Sequence, residues 1–293
     1  MTHANPETFR LPVTGGELTV GRWPGPPGSP TLVAAHGITA NHVSFDLVAR
    51  ELCSEMTIVA PDLRGRGRSN GITGPFGITA HADDLVAVLD HLEVERATIL
   101  GHSMGAWVAA YAAAAHPDRV RSLVLVDGGI ALPIADGVDV DVVLQAVLGP
   151  SIARLSMTFE DSEAYRSFWQ QHPALGGDSW SDLAERYVDY DLEGEPPSCR
   201  SSVSIDAVRG DATEQLTVPE VRDAIERVTC PVELLLAPRG ILDGDPLYPT
   251  EALDLVRPRL PSQLEEQVVA DTNHFTIVLG PGAPAVADAV RRS

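Results

Sequence analysis

Gly101-His102-Ser103-Met104-Gly105 sets a hydroxyl between glycines in a pattern suited to nucleophilic attack. The serine has a glycine two positions away on each side. It is entered from the β-prone Thr98 to Leu100 and left through an alanine-rich run that ends at Ala115. That reads as strand, sharp turn and helix. Such a turn strains the serine backbone, so small neighbours must flank it, and it lifts the hydroxyl clear of the sheet at the positive end of the next helix. Ser103 is therefore a candidate nucleophile, with a glycine-flanked surface serine as the plainer alternative. An unassisted hydroxyl is a poor nucleophile at neutral pH, so the reading demands a base, an acid and donors for a developing negative charge.

The elements that must position Ser103 alternate along the chain. Residues 8 to 22 read as two short strands around Thr14-Gly15-Gly16, and the proline-rich segment from Pro24 to Pro30 is a rigid connection. Leu32 to Ala35, Met56 to Ala60, Ser122 to Val126 and Pro231 to Leu236 are continuous apolar runs, as buried parallel strands require. A further strand is expected at Glu265 to Val269. Helical spacing falls at Phe45 to Leu52, Ala80 to Leu92 and Pro284 to Arg292. This alternation predicts an α/β fold with a doubly wound, mostly parallel sheet. It breaks after Gly129. From Ile130 to Arg227 only helical patterns are evident, such as Glu163 to Trp169 and Ser181 to Tyr190. The expected organisation is a core of residues 1–129 and 228–293 with a helical cap, 130–227, inserted into it. Leu144, Leu148, Phe159, Phe168 and Trp169 of that cap would line an apolar substrate site or hold the cap together.

Composition narrows the partners. The 293 residues are 44% hydrophobic and 21% charged, enough to bury a large core. There are 41 acidic residues against 21 basic ones, every basic residue is arginine, and the net charge is -20. That field argues against nucleic acid and anionic membranes and mildly disfavours polyanionic substrates, and the partner expected is a small-molecule substrate. No apolar run is long enough to cross a bilayer, and the polar start lacks a signal-peptide layout, which implies a cytoplasmic protein. Cys53, Cys199 and Cys230 are widely spaced without a ligand pattern, so neither a metal site nor a disulfide framework is expected. The glycine-punctuated turn from Pro61 to Ser69, with Arg64, Arg66 and Arg68, reads as a structural loop in preference to an anion site. No pattern specifies an oligomeric state.

His36-Gly37, the Asp62 to Ser69 turn, the Gly101 to Gly105 elbow and a late loop carrying His274 occur in an order that resembles the α/β-hydrolase superfamily over nearly the whole chain. The resemblance implies an eight-stranded sheet with an inserted cap, and it is weak evidence for the substrate. It places the base at His274, after the last strand. His102 would point into the fold and His36 would order its loop. For the acid it leaves two positions open. Many members carry it in a Gly-x-x-Asp-like loop after the strand that follows the cap. Here Ala237 to Asp245 offers Asp243 about two residues late, with Asp245 beyond it. Haloalkane dehalogenases and some lactone hydrolases carry it instead where this chain has Asp127. Asp127 is favoured, with a turn residue before Gly128-Gly129 as its plain alternative and Asp243 as its rival. The implied oxyanion donors are the backbone N–H groups of Ile38 and Met104.

Serine at the nucleophile position, where the dehalogenases and epoxide hydrolases of the superfamily have aspartate, implies acyl transfer. The expected activity is hydrolysis of a carboxylic ester, thioester or lactone with an apolar acyl substrate, and no metal or organic cofactor. Two alternatives stand beside it. One is C–C or amide hydrolysis by the same residues; the other is a receptor-like relative that binds a ligand with little turnover.

Overall fold

The apolar runs become one eight-stranded sheet in the computed structural model, which describes residues 6–132 and 139–293. The strands are β1 (Glu7–Val13), β2 (Gly16–Trp23), β3 (Thr31–Ala35), β4 (Thr57–Pro61), β5 (Ala97–His102) and β6 (Val120–Val126), followed after an insertion by β9 (Val232–Leu236) and β10 (Leu264–Val268). Their order is β1-β2-β4-β3-β5-β6-β9-β10. β1 pairs antiparallel with β2, and β2 with β4; every later pairing is parallel. Nearly every residue of β3, β5, β6 and β9 is buried whichever way it points, as a sheet covered on both faces requires. Helices α1 (Asp46–Leu52), α2 (Ile78–His91) and α3 (Met104–Ala115) follow β3, β4 and β5, and the chain turns back between β3 and β5. Crevices at such reversals are where open α/β sheets place their sites.

The insertion between β6 and β9 is mainly helical. It comprises α4 (Val140–Leu148), α5 (Pro150–Ala153), α6 (Ser162–Gln170), α7 (Asp182–Asp191), α8 (Ile205–Thr217) and α9 (Pro219–Arg222). Asp139, Asp161, Ser181 and Ser204 cap α4, α6, α7 and α8 with side-chain oxygens that accept first-turn N–H groups. One expectation needs correction: the segment also holds a two-stranded antiparallel pair, β7 (Leu192–Glu193) with β8 (Arg200–Ser201). Two residues a side are too few to leave an alternating pattern in the sequence. Positions 133–138 of the insertion and the first residues, 1–5, lie outside the described residues.

The apolar residues singled out in the insertion divide between the two roles expected of them. Phe159 meets Tyr165 and Phe168 edge-on, at centroid distances of 4.7 and 5.6 Å, and Trp169 is buried among them. These hold the insertion together, whereas Leu144 and Leu148 face a cavity over Ser103. One continuous apolar cluster joins the insertion to the sheet. After β9 come α10 (Thr250–Val256), then α11 (Thr276–Leu279) and α12 (Ala283–Arg292), which packs beside α1. Among the described residues no helix is long and apolar enough to cross a membrane.

Candidate active site

Ser103 sits between the last residue of β5 and the first of α3 with φ 55° and ψ −122°, a left-handed φ that a non-glycine residue adopts only when its surroundings impose it. Here they do. A Cβ on Gly105 would collide with the Ala35 carbonyl at the end of β3, and one on Gly101 with the Gly105 carbonyl. The elbow can therefore pack this closely only with glycine at both places. The Ser103 hydroxyl is half-buried and has no hydrogen-bond partner among the described residues.

Asp127 follows β6 directly, also with a left-handed φ, of 47°. It is fully buried, and its N–H donates to the Leu235 carbonyl at 2.8 Å. Its Oδ1 accepts the Ala237 N–H at 3.2 Å, and its Oδ2 lies 2.6 Å from His274 Nδ1. His274 itself comes from the loop between β10 and α11 and is buried. Because a carboxylate can only accept, Nδ1 carries the ring hydrogen and Nε2 is left with a free lone pair, the tautomer a general base needs. Ser103 and His274 line one small cavity of about 30 Å³, together with Gly37 and Ile38.

His102 does point into the fold, and there it meets the backbone of His274. Its Nε2 donates to the His274 carbonyl at 2.8 Å, and the two rings lie 4.8 Å apart. Burial, with His274 beside it, holds His102 well below the usual imidazole range, so it stays neutral.

The structure brings Asp243 to the neighbouring residue instead of the ring. Its Oδ1 accepts from Asn273 Nδ2 at 2.8 Å, and Arg239 pairs with it at 2.8 Å. Asn273 Oδ1 in turn accepts the N–H groups of Phe275 and Thr276, at 3.0 and 2.9 Å. Asp243 thus bonds to the loop that carries His274, and Asp245 is exposed.

The loop after β3, which carries Ile38, is gripped by its carbonyl groups. His36 Nδ1 donates to the Gly37 carbonyl at 2.8 Å, and its Nε2 accepts the Leu63 N–H at 3.0 Å. Burial pushes His36 down to about 3, against the opposing pull of Asp62. Arg66 Nε donates to the Ile38 carbonyl at 2.9 Å, and Arg154 Nη2 to the Thr39 carbonyl at 3.0 Å. Both arginines are buried and bound to carboxylates of the insertion: Arg66 to Asp211 at 2.6 Å, Arg154 to Asp191 at 3.1 Å. With its carbonyls engaged, the loop lies against the serine, and a Cβ on Gly37 would stand 3.3 Å from Ser103 Cβ. Met104 opens α3, where its N–H has no intrahelical acceptor. Reading Pro61 to Ser69 as structural accounts for Arg64, which forks onto buried Asp84 at 2.6 and 2.7 Å. It misses the reach of Arg66 into the insertion. No local spacing signals a partner 145 positions away.

Ser103 and Asp127 open onto a larger cavity of about 220 Å³. Ile38, Met104, Trp107, Leu144, Leu148 and Leu216 supply apolar lining, and Arg222, also in the wall, is bound by the Asp223 carboxylate at 2.8 Å. The arrangement brings together a strained serine, a histidine whose Nδ1 faces a buried carboxylate, and an apolar chamber beside them.

A family model described as alpha/beta hydrolase fold matches residues 30–281. The chain belongs to the α/β-hydrolase fold family. Within it, the chain is similar to lipase LipV of Mycobacterium tuberculosis (strain ATCC 25618 / H37Rv), at 39% identity over 132 residues, 45% of this chain and 48% of the lipase. The match thus spans about half the length of that relative. It is also similar to 2-(acetamidomethylene)succinate hydrolase of Mesorhizobium japonicum (strain LMG 29417 / CECT 9101 / MAFF 303099), at 29% identity over 253 residues, 86% of this chain and 84% of that one. The crystal structure of E-2-(acetamidomethylene)succinate hydrolase superposes with a TM-score of 0.78 at 23% identity, covering 98% of each chain. A thioesterase domain from the curacin biosynthetic pathway superposes with a TM-score of 0.78 at 20% identity, covering 99% of this chain and 100% of that one. These two superpositions speak for the α/β-hydrolase fold alone. The named relatives are hydrolases of different bonds, so the family supports a hydrolytic enzyme and leaves the bond open.

Proposed function

We propose that the protein is a serine hydrolase that cleaves a small, neutral carboxylic ester, thioester or lactone through an acyl-enzyme on Ser103. The observation that carries this reading is the 2.6 Å contact between Asp127 Oδ2 and His274 Nδ1 beside the strained serine. Ser103 Oγ attacks the acyl carbon while its proton passes to His274 Nε2, and the carbonyl electron pair moves onto oxygen. The N–H groups of Ile38 and Met104 donate to that oxygen, each worth about 3 kcal/mol in comparable sites. Collapse of the tetrahedral species breaks the bond to the leaving group, which takes the proton from His274. Water then attacks the acyl-enzyme, giving a proton to His274, and the second collapse releases the acid and returns the proton to Ser103. Asp127 holds the tautomer and stabilises the imidazolium in both halves.

The cavity supports a neutral acyl chain: its walls are mostly apolar, and its arginine is already bound by a carboxylate. A second reading, C–C or amide hydrolysis, is favoured by two relatives. One is named 2-hydroxymuconate semialdehyde hydrolase, 38% identical over 105 residues, and the other is the 2-(acetamidomethylene)succinate hydrolase described above. Substrate profiling separates the two readings. The test of the shared mechanism is Ser103→Ala assayed on p-nitrophenyl butyrate, with an expected loss in kcat of about 10⁴-fold or more. Wild-type turnover by that variant would remove Ser103 from the mechanism.

A further inference from the structure

The small cavity shared by Ser103 and His274 has a wall contributed in part by the insertion: Ser151, in α5, lines it together with Ile38 and Thr39. Ser151 is 1% exposed, and its hydroxyl lies 3.4 Å from His172 Nε2. Which of the two donates is fixed on the far side of the ring. His172 Nδ1 stands 3.3 Å from the Ala174 backbone nitrogen, whose N–H can only donate, so Nδ1 is an acceptor. Burial, reinforced by Arg154, lowers His172 to about 4, and the ring is neutral near neutral pH. A neutral imidazole with a bare Nδ1 carries its hydrogen on Nε2. His172 therefore donates to Ser151 Oγ, and the serine's own hydrogen is left without an acceptor among the described residues.

We propose that Ser151 is a substrate-contacting catalytic residue, whose hydroxyl hydrogen donates to the acyl carbonyl oxygen as it gains negative charge, a third donor beside the N–H groups of Ile38 and Met104. The proposal rests on the acyl-enzyme reading above. Its geometry is held by one side chain. Arg154 donates through Nη1 to the carbonyl of Ser151 itself at 2.5 Å and through Nη2 to the carbonyl of Thr39 at 3.0 Å. The same guanidinium thus fixes the backbone of the new donor relative to the loop that carries Ile38. A hydroxyl with one lone pair occupied by a fixed N–H cannot turn its hydrogen back toward His172, so that hydrogen stays available to an acceptor in the cavity. The insertion then completes the anion-binding site as well as roofing it.

The test compares wild type with Ser151→Ala and Ser151→Gly in two assays. One is kcat/KM on p-nitrophenyl butyrate; the other is Ki for a propyl trifluoromethyl ketone, which adds to Ser103 and places an oxyanion where the substrate would. Both variants should lose about 10- to 100-fold in kcat/KM. The Ki should rise by the same factor, with Tm within about 2 °C of wild type. Wild-type kcat/KM in either variant would overturn the role of Ser151, and so would a loss of kcat/KM without a matching rise in Ki. If the wild type itself neither hydrolyses the ester nor is inhibited by the ketone, the acyl-enzyme reading falls and takes the proposal with it. Normal wild-type behaviour with unaffected variants removes Ser151 alone.

Discussion

Asp127 and Asp243 invite comparison, because both serve the loop that carries His274 from neighbouring strands, β6 and β9. Both have left-handed φ angles, 47° and 61°. Their surroundings differ in every other respect. Asp127 is fully buried, bonded to the imidazole and to one backbone N–H, with no arginine paired to it among the described residues. Asp243 has a side chain 29% exposed and shares its charge with Arg239 and the Asn273 amide. A carboxylate in the interior acts on its neighbour through a low dielectric, so a proton arriving on His274 meets a strong, unscreened partner. A carboxylate at the surface is screened by water and by its arginine. In the proposed mechanism the two aspartates divide the labour: Asp127 sets the proton position on the ring, while Asp243 bonds to the loop that presents it.

The larger loss of activity is expected from Asp127→Asn. It keeps the shape but offers an N–H where the ring needs an acceptor, and kcat on the ester should fall about 10⁴-fold. Asp243→Ala removes the bond to Asn273 and a partly exposed ion pair, so kcat should fall only about 2- to 10-fold, with a stability loss of about 1 kcal/mol in urea titration. The reverse order of severity in the steady-state rates would exchange the two roles.

The sheet was legible in the sequence because its strands are continuous apolar runs, and Leu32 to Ala35 or Ser122 to Val126 can be little else. Ser103 was legible as a candidate because its glycines are local, and His274 through the resemblance, which expects a histidine after the last strand. The two candidate acids were hard to separate for a physical reason: two strand-following aspartates of similar backbone shape reach the same loop, and they differ only in burial and partners. What stayed hidden depends on pairs brought together from afar. Nothing near Arg66 announces Asp211, and nothing near Thr39 announces Arg154. The polarity of Ser151 requires the ring of His172 and the N–H of Ala174 at once. The β7–β8 pair is too short to have a period.

In the proposed mechanism Ser103 is a hydroxyl activated by the Asp127–His274 pair. That activation is read by intact-protein and peptide mass spectrometry after brief exposure to a fluorophosphonate ester. The account predicts one phosphonyl group per chain, on Ser103, with labelling strongly slowed in Asp127→Asn. An unlabelled Ser103 in the folded wild-type protein, or equal labelling rates in the two proteins, would contradict it.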